Sequence, residues 1–257
     1  MENVIGGLWL VALTGFLWAL VGVVFSYVSR QKVEIVAFMF TANLFNAIGA
    51  WVFLFKPHNL TGAGVGGYLN MGVVMMVAGL FGASGFQLMC HAMRKGNRGV
   101  VWAVGQSAMI LPLFTAVLFF NEKLRWMNGL GIILILAGLV MLSIKKGIRE
   151  KSHHFTEGWL WISYAVFLLV GISASLTTLP SHWKDFLDAA GLRLPVFFTV
   201  AMLYFLMQTL AQGKKCLTRR TFKLGLIYSI VVFLGQFCLY RSLDDCAQFG
   251  RVGMVYP

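Results

Sequence analysis

Two long apolar runs laid end to end constrain this chain more than any other feature. Gly99–Phe120 and Trp126–Ile144 are separated only by Asn121-Glu122-Lys123-Leu124-Arg125. Each run is about 20 residues, and a helix rising ~1.5 Å per residue then reaches ~30 Å, the depth of bilayer hydrocarbon. Hydrocarbon offers no water to an open backbone, so such a run must satisfy its amides within itself, as a helix. Pro112 falls inside the first run, and Gly129, Gly131 and Gly138 punctuate the second. A soluble core has no use for two such helices in succession. The pair predicts an all-α polytopic membrane protein.

The same pattern fills the chain. Ile5–Val28, Val33–Phe55 and Tyr68–Met93 precede the pair. Glu157–Leu179, Leu192–Gln212 and Phe222–Leu243 follow it, and a further run starts near Cys246 and reaches Pro257. That last run, about 12 residues, makes only ~18 Å of helix and cannot cross. Eight full helices and the start of a ninth are therefore expected. Charged residues are 12% of the sequence and hydrophobic ones 59%, whereas soluble domains are about a quarter charged. The net charge of +12 is not a nucleic-acid signal, because Lys and Arg sit in short loops between apolar runs, as topology signals do. Cys90, Cys216, Cys238 and Cys246 show no Cys-x-x-Cys spacing, so no disulfide framework and no metal site is expected. Ile5–Val28 is too long for a signal peptide and has no basic stretch before it.

An internal repeat accounts for the short end. A shift of 150 residues lays Trp9-Leu10 on Trp159-Leu160, Gly85 on Gly235 and Ala92-Met93 on Ser242-Leu243. It also lays Phe86-Gln87 on Gln236-Phe237. The common offset divides the chain into a five-helix unit, 1–150, and a second unit, 151–257, that lacks about 40 residues of a complete repeat. Five is odd, so the second unit starts on the side opposite to the first. Tandem units of this kind form inverted repeats, a hallmark of secondary transporters with a site near the bilayer midplane. Fourteen of the 21 Lys and Arg residues lie on one side, in loops around Arg30, Arg94–Arg98, Lys145–Lys151 and Lys214–Lys223. The positive-inside rule makes that side cytoplasmic and puts the N-terminus outside.

Pro112 within the fourth helix, the Asn121-Glu122-Lys123-Leu124 turn, and Gly129 and Gly138 before a Leu/Val run resemble the EamA-like family of the drug/metabolite transporter superfamily. In that family the turn is Gly-Glu-Arg-Leu-like. The first unit matches end to end and the second as far as it goes. The resemblance implies a ten-helix bundle of two inverted five-helix halves. It further implies a central cavity lined by the first, third, fourth, sixth, eighth and ninth helices, and an N-terminus in the cytoplasm, opposite to the charge count. A multi-pass protein of the plasma (inner) membrane is expected, with the lipid bilayer and a small-molecule substrate as its partners.

Polar residues inside the spans are the candidate site, since each needs a partner or a cavity. On the third helix Ser84, Gln87 and His91 share a face; on the eighth Ser229, Gln236 and Tyr240 do. The repeat makes these helices counterparts. Trp102 and Gln106 lie one turn apart on the fourth helix, and Trp9, Thr14 and Trp18 lie on the first. The expected substrate-cavity set is thus Trp9, Thr14, Trp18, Gln87, His91, Trp102, Gln106, Gln236 and Tyr240. For Ser84 and Thr14 the competing role is a hydrogen bond to the backbone one turn back. Gln87, Gln106 and Gln236 serve equally well as interhelical bonds. Asn43 and Asn46 read as interhelical bonds, Gly79, Gly82 and Gly85 as close-packing positions, and Glu122, Asp244 and Asp245 as connector or loop carboxylates.

The function expected is secondary transport of small organic metabolites or amphipathic compounds by alternating access. No Gly-x-x-x-x-Gly-Lys-Ser/Thr stretch is present, so no ATP site is encoded and no cofactor is expected. The alternative is an intramembrane serine hydrolase, because Gly82-Ala83-Ser84-Gly85 resembles the Gly-x-Ser-Gly segment of rhomboid-type proteases. His91 lies about 10 Å along the same helix, out of reach of Ser84. A non-functional transporter fragment is the third reading.

Overall fold

A computed structural model gives the fold and describes residues 2–31, 33–55, 65–121, 158–182, 189–212 and 217–247, with 129, 130, 133 and 137 besides. Every regular element among these is helical. They are α1 (Glu2–Arg30), α2 (Ile35–Phe53), α3 (Val65–Lys95), α4 (Arg98–Ser107) and α5 (Ile110–Phe120), then α6 (Trp159–His182), α7 (Arg193–Gln212) and α8 (Arg219–Ala247). Seven spans, with α4 and α5 together forming one, are long and apolar enough to cross a membrane. Of the run Trp126–Ile144, Gly129, Leu130, Ile133 and Ala137 are helical. The rest of it, with Glu122, Lys123 and Leu124, lies outside the described residues, as do the unit boundary near 150 and residues 248–257.

Two expectations need correction. The run Gly99–Phe120 is not one helix: it breaks at Ala108–Met109, between α4 and α5. Pro112 has no N–H, and its ring crowds the carbonyl four residues back. The chain answers with a tighter turn, in which the Leu111 amide donates to the Ala108 carbonyl at 3.0 Å. Nor do Asp244 and Asp245 lie in a loop. The eighth helix runs on to Ala247, so Asp244, Asp245 and Cys246 belong to its last turns. Helical hydrogen bonding continues there past the point where hydropathy falls.

Local chemistry sets the helix ends. The turn from α3 to α4 is only Gly96 and Asn97. Asn97 caps α4, its Oδ1 accepting from the Gly99 and Val100 amides at 3.1 and 3.3 Å. Asn121 ends α5 in the left-handed conformation, φ 53°, which asparagine tolerates better than most side chains.

The largest helix contacts are α3 with α6, α1 with α8 and α2 with α7. Each joins the first part of the chain to the second. Small residues permit the approach: Gly79, Gly82 and Gly85 of α3 lie against Phe197 and Val200 of α7 and against Ser173 and Val170 of α6. Direction follows from the ends. Arg94, closing α3, donates to the Val33 carbonyl beyond the end of α1. Gly96, next to it, packs against the Trp159 ring at the start of α6. So α6 begins where α1 ends and runs against it. The outer faces carry large apolar side chains, among them Phe16, Phe53, Leu118, Phe119, Met207 and Leu210, more than any water-facing surface sustains.

Candidate functional site

A small cavity of about 20 Å³ lies among α1, α2, α3, α7 and α8. Trp18, Asn46, Gly82, Ala201 and Val232 each bring it to near the middle of their span. Six aromatic side chains line it: Trp18, Phe86, Phe197, Phe198, Phe205 and Tyr228. The face toward the α1 C-terminus is plugged by Phe25, whose ring meets Tyr228 at 5.1 Å, Phe86 at 5.9 Å and Trp102 at 6.0 Å.

Three of the lining residues hold polar atoms without partners. Trp18 Nε1, both amide atoms of Asn46 and Gln236 Oε1 are buried with no hydrogen-bond partner among the described residues. Their side chains are 8%, 1% and 8% exposed respectively. An unmatched buried polar group costs about 1–3 kcal/mol, so four such atoms around one space are an expense that a packing role does not explain. Asn43 is different, because its Nδ2 donates to the Met39 carbonyl one turn back at 2.8 Å.

On the side away from Phe25 and one turn along α8 from Gln236 is a recess of about 150 Å³ lined by Leu54, Gly191, Arg193, Phe237, Tyr240 and Arg241. Arg193 is 1% exposed. Its Nη2 donates to Ser181 Oγ at 3.0 Å, and its guanidinium lies over the Tyr240 ring, 4.9 Å from the centroid.

The family-model comparison can now be set beside this geometry. The model of the EamA-like transporter family matches residues 5–144. The chain belongs to the EamA-like transporter family. No curated protein matches it. With seven helices among the described residues able to cross a bilayer, this EamA-like protein is a multi-pass membrane transport protein.

The nine residues expected around its cavity are dispersed. Trp18 and Gln236 line the cavity, and Tyr240 lines the recess. Trp102 stands behind Phe25, stacked on Gly22 of α1. Gln87 meets other partners: its Nε2 donates to Gln208 Oε1 at 2.7 Å, and its Oε1 accepts from the Tyr204 hydroxyl at 2.8 Å. It therefore ties α3 to α7. Thr14 donates to the Leu10 carbonyl at 2.8 Å. His91 is exposed, Gln106 is half-buried on α4, and Trp9, 73% exposed, stands on the outer surface. Ser84, the nucleophile of the hydrolase reading, donates to the Leu80 carbonyl at 2.7 Å.

Two residues escaped the sequence reading. Asn46 reads as an interhelical bond, yet it lines the cavity and its amide makes no hydrogen bond among the described residues. Arg193 was counted with the loop charges, yet it is buried at the first position of α7. The signal for Asn46 was its spacing of ten residues from Val36 across the centre of a span, which puts it at midplane depth. For Arg193 there was none, because a basic residue at a helix end is ordinary. The walls also differ from those the resemblance implies: α2 and α7 contribute, and α4 and α6 supply none of the described lining.

Proposed function

We propose that this EamA-like transporter carries small organic metabolites or amphipathic compounds by alternating access, with the mid-membrane cavity as the substrate site. One observation carries the reading: residues of α1, α2 and α8 that line one space within the membrane-spanning part hold buried hydrogen-bonding atoms left unmatched. A site that must release its cargo to either side holds polar groups that only the cargo satisfies. The contact pattern supports two related halves. Exchanging α1, α2 and α3 for α6, α7 and α8 turns the α1–α8 contact into the α6–α3 contact and leaves α2–α7 unchanged. The antiparallel course of α1 and α6 supports inversion. In the geometry described, the aromatic plug around Phe25 closes one side and the recess at Arg193 lies on the other. Movement between two such states needs a place to bend, and the break at Ala108–Met109 supplies one.

The test is counterflow into proteoliposomes, with a panel of radiolabelled neutral, zwitterionic, anionic and cationic metabolites. Accumulation of at least one above protein-free vesicles, reduced at least tenfold by Gln236→Leu, is the expected result. No accumulation of any compound would overturn the proposal.

A further inference from the structure

We infer that the mid-membrane cavity selects an uncharged, flat ring compound that both donates and accepts hydrogen bonds. The inference rests on the transporter reading and adds the chemical class of its cargo.

Charge is the first constraint. None of the cavity-lining side chains carries a charge at neutral pH. An ion brought into such a space without a counter-ion loses solvation that nothing there returns. Ring faces attract a cation, but the unmatched N–H groups of Trp18 and Asn46 in the same lining oppose it. The Asn46 and Gln236 carbonyl oxygens oppose an anion in the same way.

Pairing is the second. Trp18 Nε1 and Asn46 Nδ2 are donors awaiting acceptors, and Asn46 Oδ1 and Gln236 Oε1 are acceptors awaiting donors. A hydrocarbon or a halogenated ring leaves all four unmatched. A ligand bearing an amide, a lactam or a ring nitrogen beside an N–H matches them, and a site built on such bonds rejects analogues that lack them strongly.

Shape is the third. Six aromatic rings line the cavity, and those of Trp18 and Phe86 hold their planes within 7° of each other. Walls of this kind meet a flat ring over its whole face, which stacking rewards. The present volume, about 20 Å³, is the room of one water. The ligand therefore enters as the helices part.

Matched compounds test this in proteoliposomes of the full chain: nicotinamide, nicotinate and 1-methylnicotinamide, then benzamide, benzoate and benzamidine. Uptake is read as initial rate above protein-free vesicles, alongside the broad metabolite panel. The expected result is that the neutral member of each set is taken up at least tenfold faster than its charged relatives. Asn46→Leu and Gln236→Leu should lose that uptake, while Gln208→Leu, away from the cavity, keeps it. Gln236→Glu, which adds a carboxylate, should shift preference toward 1-methylnicotinamide by at least tenfold, and elution as the same monodisperse peak shows that the variant folds. Uptake confined to charged or zwitterionic compounds overturns the inference and leaves the transporter reading standing. So does an unchanged preference in Gln236→Glu. Absence of uptake across every compound, broad panel included, removes the transporter reading and the inference with it.

Discussion

Gly79→Ala isolates the close approach of α3 to α7. A methyl group on Gly79 would stand 2.9 Å from the Phe197 carbonyl oxygen and 3.2 Å from Val200 Cβ. Carbon–oxygen contacts settle near 3.3–3.6 Å, and carbon–carbon contacts at about 3.5–4.0 Å. The obstructing oxygen is backbone and cannot swing aside, so the two helices must separate by about 0.5 Å. Overpacking of this kind costs about 1–3 kcal/mol. Alanine also returns up to about 1 kcal/mol of helix propensity, which blurs a comparison with the native protein. Gly72, on the same helix, removes the ambiguity: a methyl group there meets nothing within 4 Å. Gly72→Ala gains the same propensity with no clash, so the difference between the two variants is the clash alone, about 1–3 kcal/mol. The assay is SDS-driven unfolding of purified protein in mixed micelles, followed by tryptophan fluorescence. Gly79→Ala should unfold at clearly lower SDS than Gly72→Ala. Equal midpoints would refute the packing argument, since α3 and α7 would then not be held at the distance that only glycine allows.

Three further outcomes follow from the same structure. A double-mutant cycle of Gln87→Leu and Gln208→Leu, read by the same unfolding, should give a coupling of about 0.6–1.7 kcal/mol, the range of interhelical hydrogen bonds in membranes; additive losses would mean that the pair is not bonded. Pro112→Ala restores an amide N–H in α5 and relieves the ring, so it should raise the unfolding midpoint and slow counterflow by straightening the break at Ala108–Met109; a faster rate with unchanged stability would remove Pro112 as the cause. The charge count of the loops predicts that green fluorescent protein fused after Lys146 fluoresces; a dark fusion that an alkaline phosphatase fusion replaces with activity would give the opposite orientation, the one the family resemblance implies.

Much of this protein was legible along one dimension. Length and hydropathy marked the spans to within a few residues, and Asn97 and Asn121 stand at helix ends where their side chains fit. The spaced glycines of α3 announced close packing, because only a missing side chain lets helices touch in lipid. The turn around Glu122 and its flanking helices carried the family likeness.

Which faces meet was not legible. In water an amphipathic helix shows its buried stripe by contrast with a polar one. In a bilayer the lipid-facing side is as apolar as the core, so Phe16 on the outside and Phe25 inside look alike in sequence. Polar residues then mark depth without marking partners. Gln87 and Gln236 sit at comparable distances from mid-span on counterpart helices, yet one finds Gln208 and Tyr204 across an interface while the other lines the cavity with its Oε1 unmatched. Arg193 reads as a loop charge until α6 and α8 close over it with Ser181 and Tyr240. Sequence alone determined that the chain crosses a membrane as helices and to which family it belongs, because length and apolarity suffice for the first and a linear pattern for the second. Tertiary structure alone decided which polar groups share the central space, because that depends on helix rotation and on the approach of α1, α2, α3, α7 and α8, which no spacing along the chain encodes.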